Sequence, residues 1–324
     1  MQPGIYPDIM INKISGYISA WAGANLSYAG RTELIKSVLQ GVECFWLSIL
    51  PTPAGVQAKI IKLCRNFLWS GKCNKNKRPL VAWRDITPPK IEGGLGIRNS
   101  KAWNKALLSK TMWDIQAKID TLWVQWVHQI YMKYANFWEY QIKHDDSPLI
   151  KQVIALREEI IATERSQQAE AHKINQWMAN GELNSKLAYE YFRPKAIKLQ
   201  WPKVIWTNYA TPKHAFIFWL AMKEKLLTKD RLHDPGANQL CSLCRTENET
   251  AEHFHLFFQC NFVRQVWNSI KRLARVPQIS YDIKSSCQMV DQGSQRHGYP
   301  IQSKKAGHSL HHLFCMGSKK SQNI

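Results

Sequence analysis

The sequence predicts a mainly α protein: a long helical region, a smaller helical domain bearing a Cys/His cluster, and a disordered tail. Three observations carry this. Apolar residues recur at helical spacing through most of the first 120 residues. Pro51, Pro53, Pro88-Pro89 and Gly93-Gly94 punctuate those runs. The last stretch, 277–324, is rich in Ser, Gln, His, Gly and Lys and has no clear period, which predicts disorder.

Each element follows in turn. Ile9–Trp21 has helical spacing (Ile11, Ile14, Ile18, Trp21) but reads as the tail of something longer, with no preceding segment to pack against. Ser27 can cap a helix whose face carries Leu34, Ile35, Val38, Leu39, Val42, Phe45 and Trp46. Pro51 and Pro53 stop it. A second helix presents Val56, Ile60, Leu63, Cys64, Phe67 and Leu68 on its apolar side and Lys59, Lys62 and Arg65 on its polar side. Ser70–Pro79 is a basic loop with Lys72, Lys75, Lys77 and Arg78, and Leu80–Trp83 reads as a short strand-like piece. Gly93, Gly94 and Gly96 match neither a P-loop nor a dinucleotide fingerprint and read as a tight turn. A third helix, Ser100–Ile119, points Trp103, Leu107, Leu108, Met112 and Ile115 inward. Residues 120–180 read as helical, with Glu158–Ala171 exposed and a flexible boundary near Ala179–Glu182. The resulting division is 1–24, 25–120, 121–179, 180–275 and a tail from 276 to 324.

Composition narrows the function. A net charge of +20 favours a polyanionic partner, because neutralising phosphates releases counterions. Residues 1–110 carry 16 Lys/Arg against 5 Asp/Glu, residues 111–200 carry 11 of each, and residues 201–324 carry 17 against 8. Two basic blocks around a neutral middle suit a grip on RNA or DNA at two places, with Lys72, Lys75, Lys77 and Arg78 as the leading contacts. The fourteen Trp read as core, with a minority available to stack on bases. Eight Cys with a single C-x2-C are too sparse for a disulfide scaffold. No secretory signal opens the chain, and its most apolar runs, Cys44–Leu50 and Ala215–Met222, are too short to span a bilayer. These features imply an intracellular protein, with the nucleus as one location, and neither a membrane nor a small-molecule substrate as partner. The oligomeric state is left open.

Cys241-Ser-Leu-Cys244 is a knuckle that lets two thiolates face one metal ion. His253, His255 and Cys260 follow. On a straight helix His253 and Cys260 would lie about 10.5 Å apart along the axis, too far to share an ion. His255 and Cys260 enclose four residues, inside the usual ligand spacing. The expected set is therefore Cys241, Cys244, His255 and Cys260, with His253 as the alternative, holding a structural zinc. Four protein ligands leave no open position for Lewis-acid catalysis.

These residues carry a family resemblance. Gly181–Tyr189, Trp206, Thr211–Trp219, Leu227–Leu232, Cys241-x2-Cys244, His255-Leu-Phe-Phe-Gln-Cys260 and Trp267 resemble the zinc-binding domain of plant non-LTR retrotransposon reverse transcriptases. Leu26–Leu39, Cys64–Trp69, Pro79–Trp83, Glu92–Ile97 and Trp103–Leu107 are similar to the thumb-like segment that follows the polymerase palm in those elements. The resemblance implies a nucleic-acid-binding remnant that is not an enzyme, because the paired carboxylates of a polymerase palm are missing. Asp145-Asp146 is the one adjacent pair of aspartates and reads as a solvated turn. Cys244 to His255 is two residues longer than the family pattern, and the tail after Ile283 departs from it like a shifted reading frame. The competing readings are a zinc-dependent protein-interaction domain and a transposon-derived fragment with no function.

Overall fold

The computed structural model describes residues 5–49, 52–133, 135–208, 210–231, 239–249, 255 and 259–274. The architecture is mainly α, as the periodicity predicts, with one two-stranded sheet among the described residues. The expected tail from 276 to 324 and the alternative ligand His253 lie outside the described residues.

The N-terminal core forms around α1 (Ile5–Trp21), α2 (Tyr28–Leu34), α3 (Gln40–Ile49) and α4 (Ala54–Ser70). Helix α1 is no loose lead-in: Met10, Ile14 and Ile18 are fully buried against the Ile60, Phe67 and Leu68 face of α4. Ser27 caps α2 as its sequence position suggests, accepting from the Gly30 N–H at 3.2 Å. Between α2 and α3 runs a π turn, Ile35–Leu39. The extra residue in that turn advances the helical phase by about 100°. Phe45 is thereby rotated into solvent at 59% exposure, against the α-periodic expectation, while Glu43 and Leu47 take the inward positions. Helix α4 ends at Gly71, whose φ of 77° is the left-handed stop that glycine adopts without strain.

Leu80–Trp83 makes no strand. The segment enters a short helix, α5 (Trp83–Ile86), and then a 3-10 turn at Lys90–Glu92. The glycine-rich stretch is a tight turn, as expected. A Cβ on Gly94 would meet the Pro88 carbonyl oxygen at 2.0 Å, so the turn closes only without a side chain.

The middle core is organised by α6 (Ser100–Gln116), which packs against α3, α7 (Leu122–Val127), α8 (Pro148–Glu164) and α10 (Ser185–Phe192). Because it is enclosed on several sides, α6 buries small and polar residues as well as apolar ones: Ala102, Asn104, Ala106, Ser109 and Met112. Asn104 donates to the Leu47 carbonyl at 3.1 Å, which ties α6 to α3. Helix α9 (Gln167–Asn175) leads into β1 (Met178–Ala179) and β2 (Glu182–Leu183), an antiparallel pair in which Met178 faces Leu183. Where the sequence reads as a flexible boundary, Asn180 (φ 54°) and Gly181 (φ 81°) form the two left-handed residues of a tight hairpin.

Asp145-Asp146 is only half a solvated turn. Asp145 is exposed, but Asp146 is buried, accepting from Tyr140 Oη and the Lys143 N–H, both at 2.7 Å. Its carboxylate organises a loop, and the two side chains share no site.

Glu43 gives a first testable consequence. Its side chain is buried with Oε1 unpartnered. Burial pushes its carboxyl up to about 7, opposed by the Ser100 hydroxyl and the charge of Arg98. A raised folded-state pKa contributes stability below the unfolded value of about 4.3 and loses it as pH rises toward 7. Glu43→Gln should therefore match the parent near pH 4.5 and exceed it on the order of 2 kcal/mol at pH 8, measured by urea unfolding across pH. A constant difference between the two would contradict this assignment.

Candidate metal centre

The third core lies around α11 (Pro202–Ile205), α12 (Pro212–Met222) and α13 (Asn261–Ala274). Helix α12 is apolar on every side and correspondingly buried all round. Phe216, Trp219 and Leu220 face the N-terminal core, while Ala215, Phe218, Ala221 and Met222 face the third. Trp219 donates its indole N–H to the Gly93 carbonyl at 2.9 Å, anchoring that helix to the glycine turn.

Two local devices bring the Cys/His residues together. The first is a short hairpin: Leu240 pairs with Asn248, the Glu249 N–H donates to the Gln239 carbonyl at 2.9 Å, and the Cys241 N–H donates to the Glu247 carbonyl at 2.7 Å. Inside it the chain turns sharply after Cys244, with Arg245 at φ 57° and its N–H on the Cys241 carbonyl at 2.9 Å. Both thiols of the knuckle face one side as a result. The second device is a wide turn in which the Cys260 N–H donates to the His255 carbonyl at 2.8 Å. That turn returns the Cys260 thiol to the His255 imidazole and then starts α13.

One ligand atom from each of Cys241, Cys244, His255 and Cys260 lies within 4.8 Å of the others. Cys244 Sγ is 3.3 Å from His255 Nε2. Tetrahedral zinc with bonds of about 2.3 Å to sulfur requires S···S edges of about 3.8 Å. The side chains therefore fit zinc after a contraction of an ångström or less. Cys241 and Cys260 are fully buried and His255 is 3% exposed, while Cys244 is half-buried at the rim of the centre. Among the described residues this is the one cluster of three or more His, Cys, Asp or Glu side chains able to share an ion.

The electrostatics suit thiolate ligands. Burial opposes ionisation of Cys244, but donors from the Thr246 side chain, the Thr246 and Glu247 N–H groups and His255 outweigh it and bring the thiol down to about 6. Burial and the neighbouring Cys241 and Cys244 push Cys260 up to about 11, against the Phe262 and Val263 N–H groups of the first turn of α13. A cation among the thiols would relieve the opposition to ionising Cys260. The sequence reading missed His255's second contact. Its Nδ1 lies 2.8 Å from Glu247 Oε2, off the direction of an ideal N–H bond. A carboxylate behind a ligating imidazole fixes its tautomer and leaves Nε2 for the metal. Glu247 is exposed and nothing in its local sequence marks it.

Residues 183–267 match the family described as "zinc-binding in reverse transcriptase". All four residues of the cluster fall inside that zinc-binding module. Over 114 residues the chain is also 36% identical to an Arabidopsis thaliana protein named "Putative ribonuclease H protein". The alignment covers 35% of this chain and 18% of that relative, so the chain spans less than a fifth of the relative's length.

The four basic residues singled out in the sequence, Lys72, Lys75, Lys77 and Arg78, lie together in the loop after α4, and all four are exposed. The loop is fastened at its base, where Asn66 donates to the Cys73 carbonyl at 2.9 Å and Ser70 Oγ to the Lys72 carbonyl at 3.0 Å. Between Glu43 and Asp85 the chain has no carboxylate and eight Lys/Arg. No helix among the described residues is long and apolar enough to cross a membrane.

Proposed function

We propose that the chain is a zinc-stabilised, non-catalytic nucleic-acid-binding piece of a non-LTR retrotransposon reverse transcriptase of the plant type. The observation that carries the reading is the largely buried Cys3His cluster inside a segment matching a reverse-transcriptase zinc-binding family. Cys241, Cys244, His255 and Cys260 would hold zinc. Bound there, zinc supplies cross-linking of the 239–249 hairpin to the start of α13 and no open coordination position.

RNA or DNA is the polyanion this surface suits. The carboxylate-free stretch places Lys59 and Lys62 on the exposed side of α4 and continues into the 72–78 loop. Cations beyond a helix C-terminus are also favoured by its dipole. Replacing Lys72, Lys75, Lys77 and Arg78 with Gln should weaken binding of an oligonucleotide uniformly across sequences. It should also lower the slope of log K against log salt by about 3–4, read by fluorescence anisotropy between low and moderate salt. An unchanged slope would remove the loop from the interface.

Non-catalytic is part of the proposal. The 145–146 pair is split between solvent and a structural hydrogen bond. Mg²⁺-dependent templated incorporation, or cleavage of the RNA strand of an RNA–DNA hybrid, would overturn it. The described cysteines, Cys44, Cys64, Cys73, Cys241, Cys244 and Cys260, are all free thiols, which supports placing the protein inside the cell, in the nucleus or elsewhere.

A further inference from the structure

Helix α7 and the π turn that continues it, His128–Met132, are apolar on both sides. Val124 is buried, Val127 and Met132 are buried in the middle core, and His128 Nε2 lies 2.8 Å from the Ile115 carbonyl, pinning the segment to α6. The opposite face carries Leu122 at 85% exposure, Trp123 at 38%, Trp126 at 48% and Ile130 at 52%, with Ile119 at 40% in the turn before it. Leu122, Trp123 and Trp126 lie at the spacing by which one helix lays its apolar stripe on another, and the exposed Ile119 before them and Ile130 in the π turn extend the apolar surface. The stripe leaves about 500 Å² of apolar surface in water, at the upper range for a single patch on a monomer.

The charge pattern selects the occupant. The chain as a whole is +20, yet residues 111–200, which contain this helix, carry 11 Lys/Arg and 11 Asp/Glu. A polyanion has no electrostatic reason to prefer this third over the basic flanks. Two copies, which would repel one another through either flank, can approach through the neutral third. The ends of the stripe are also self-complementary. Asp120 stands exposed at its start, held by Gln125 Nε2 at 2.7 Å with acceptor capacity to spare, and Lys133 stands exposed at its end. In a two-fold antiparallel pairing each Asp120 would meet the other copy's Lys133, and the helix dipoles would oppose.

We propose that this face is the dimerisation surface of the protein, occupied by the same helix of a second copy. The two stripes together bury about 1,000 Å², the lower bound of a specific interface, so the dimer is concentration-dependent and not obligate. The stripe shares no residue with the metal cluster or the 72–78 loop, and the proposal does not depend on the nucleic-acid reading.

Sedimentation equilibrium of the full chain, nuclease-treated and under reducing conditions, is the test, with Leu122→Glu/Trp126→Glu as the comparison. Both substituted side chains are exposed, so the fold is retained, checked by circular dichroism. The parent should shift from 37.6 kDa toward about twice that mass between about 1 and 100 µM, while the double variant stays monomeric. A parent that remains monomeric throughout overturns the proposal. So does a variant that dimerises as the parent does. A monomeric parent whose exposed Trp fluorescence is quenched by single-stranded oligonucleotide, lost in the variant, assigns the face to base stacking instead.

Discussion

Arg193→Ala should lower the unfolding free energy by about 3–5 kcal/mol, the largest single-residue effect expected outside the metal centre. Arg193 and Glu92 are 7% and 4% exposed, and their side chains meet through two bonds, Nη1 to Oε2 at 2.8 Å and Nη2 to Oε1 at 2.5 Å. Glu92 also accepts from the Ala196 N–H at 3.0 Å, and Arg193 Nε donates to Glu190 at 2.8 Å. The pair fastens the glycine turn below the N-terminal core to the end of α10, which belongs to the middle core. Removing the guanidinium strands a buried carboxylate, which is the costly half of such a pair. The Glu92→Met/Arg193→Met double variant should recover much of the loss, because both desolvation costs vanish together. Hydrogen bonds from Arg193 hold the Glu92 carboxyl below the usual range against the opposing effect of burial. A depressed folded-state pKa gives stability that is present above about 4.3 and lost as pH falls through the folded value. The parent should thus lose stability in acid faster than the double variant. A double variant as unstable as Arg193→Ala would show that packing, and not the charge pair, is what the residue supplies.

Metal removal is the second large effect. Chelation, or Cys241→Ser, should unfold the 239–249 hairpin and α13 while leaving the other two cores folded. The described residues of this segment give the third core Cys241, Cys260 and Val263, with Leu243 and Val266 at its edge, and the hairpin meets the start of α13 at the four side chains of the cluster. Ligation across that junction would supply folding energy that is lost with the ion. Helix α12 has independent support, through Trp219 on Gly93 and through Phe216 against Tyr28 and Trp69 at ring separations of 5.6 and 6.4 Å. Amide hydrogen exchange should therefore rise by several orders of magnitude at 240–249 and 260–272 on chelation and stay unchanged at 212–222 and 54–70. Uniform acceleration along the chain would show instead that the centre supports the whole fold.

Much of this was legible in the sequence, for reasons that differ by element. The Cys/His residues could be chosen because ligand spacing is constrained by chemistry: His255 stands in the cluster because a four-residue gap closes in one wide turn. The helices of the N-terminal core were legible from period alone. The π turn at 35–39 was not, since nothing in Ile-Lys-Ser-Val-Leu marks an added residue, and everything after it is rotated. Phe45 leaves its expected environment for that reason, and Glu43 is buried. Leu80–Trp83 read as a strand because it is short and apolar, a pattern that burial under a loop produces equally well. Asn180-Gly181 carried a hairpin signal that a search for domain boundaries passes over. The double role of α12 could not be read from sequence, because an all-round apolar helix does not say which core each side will meet.

Zinc content is the most direct readout of the four-residue centre. Elemental analysis of the purified chain, beside Cys260→Ala and His255→Ala, should find one zinc per parent molecule and a loss of tight zinc from both variants. A zinc-free parent that folds its 239–274 segment, or variants that retain full zinc, would contradict the assignment.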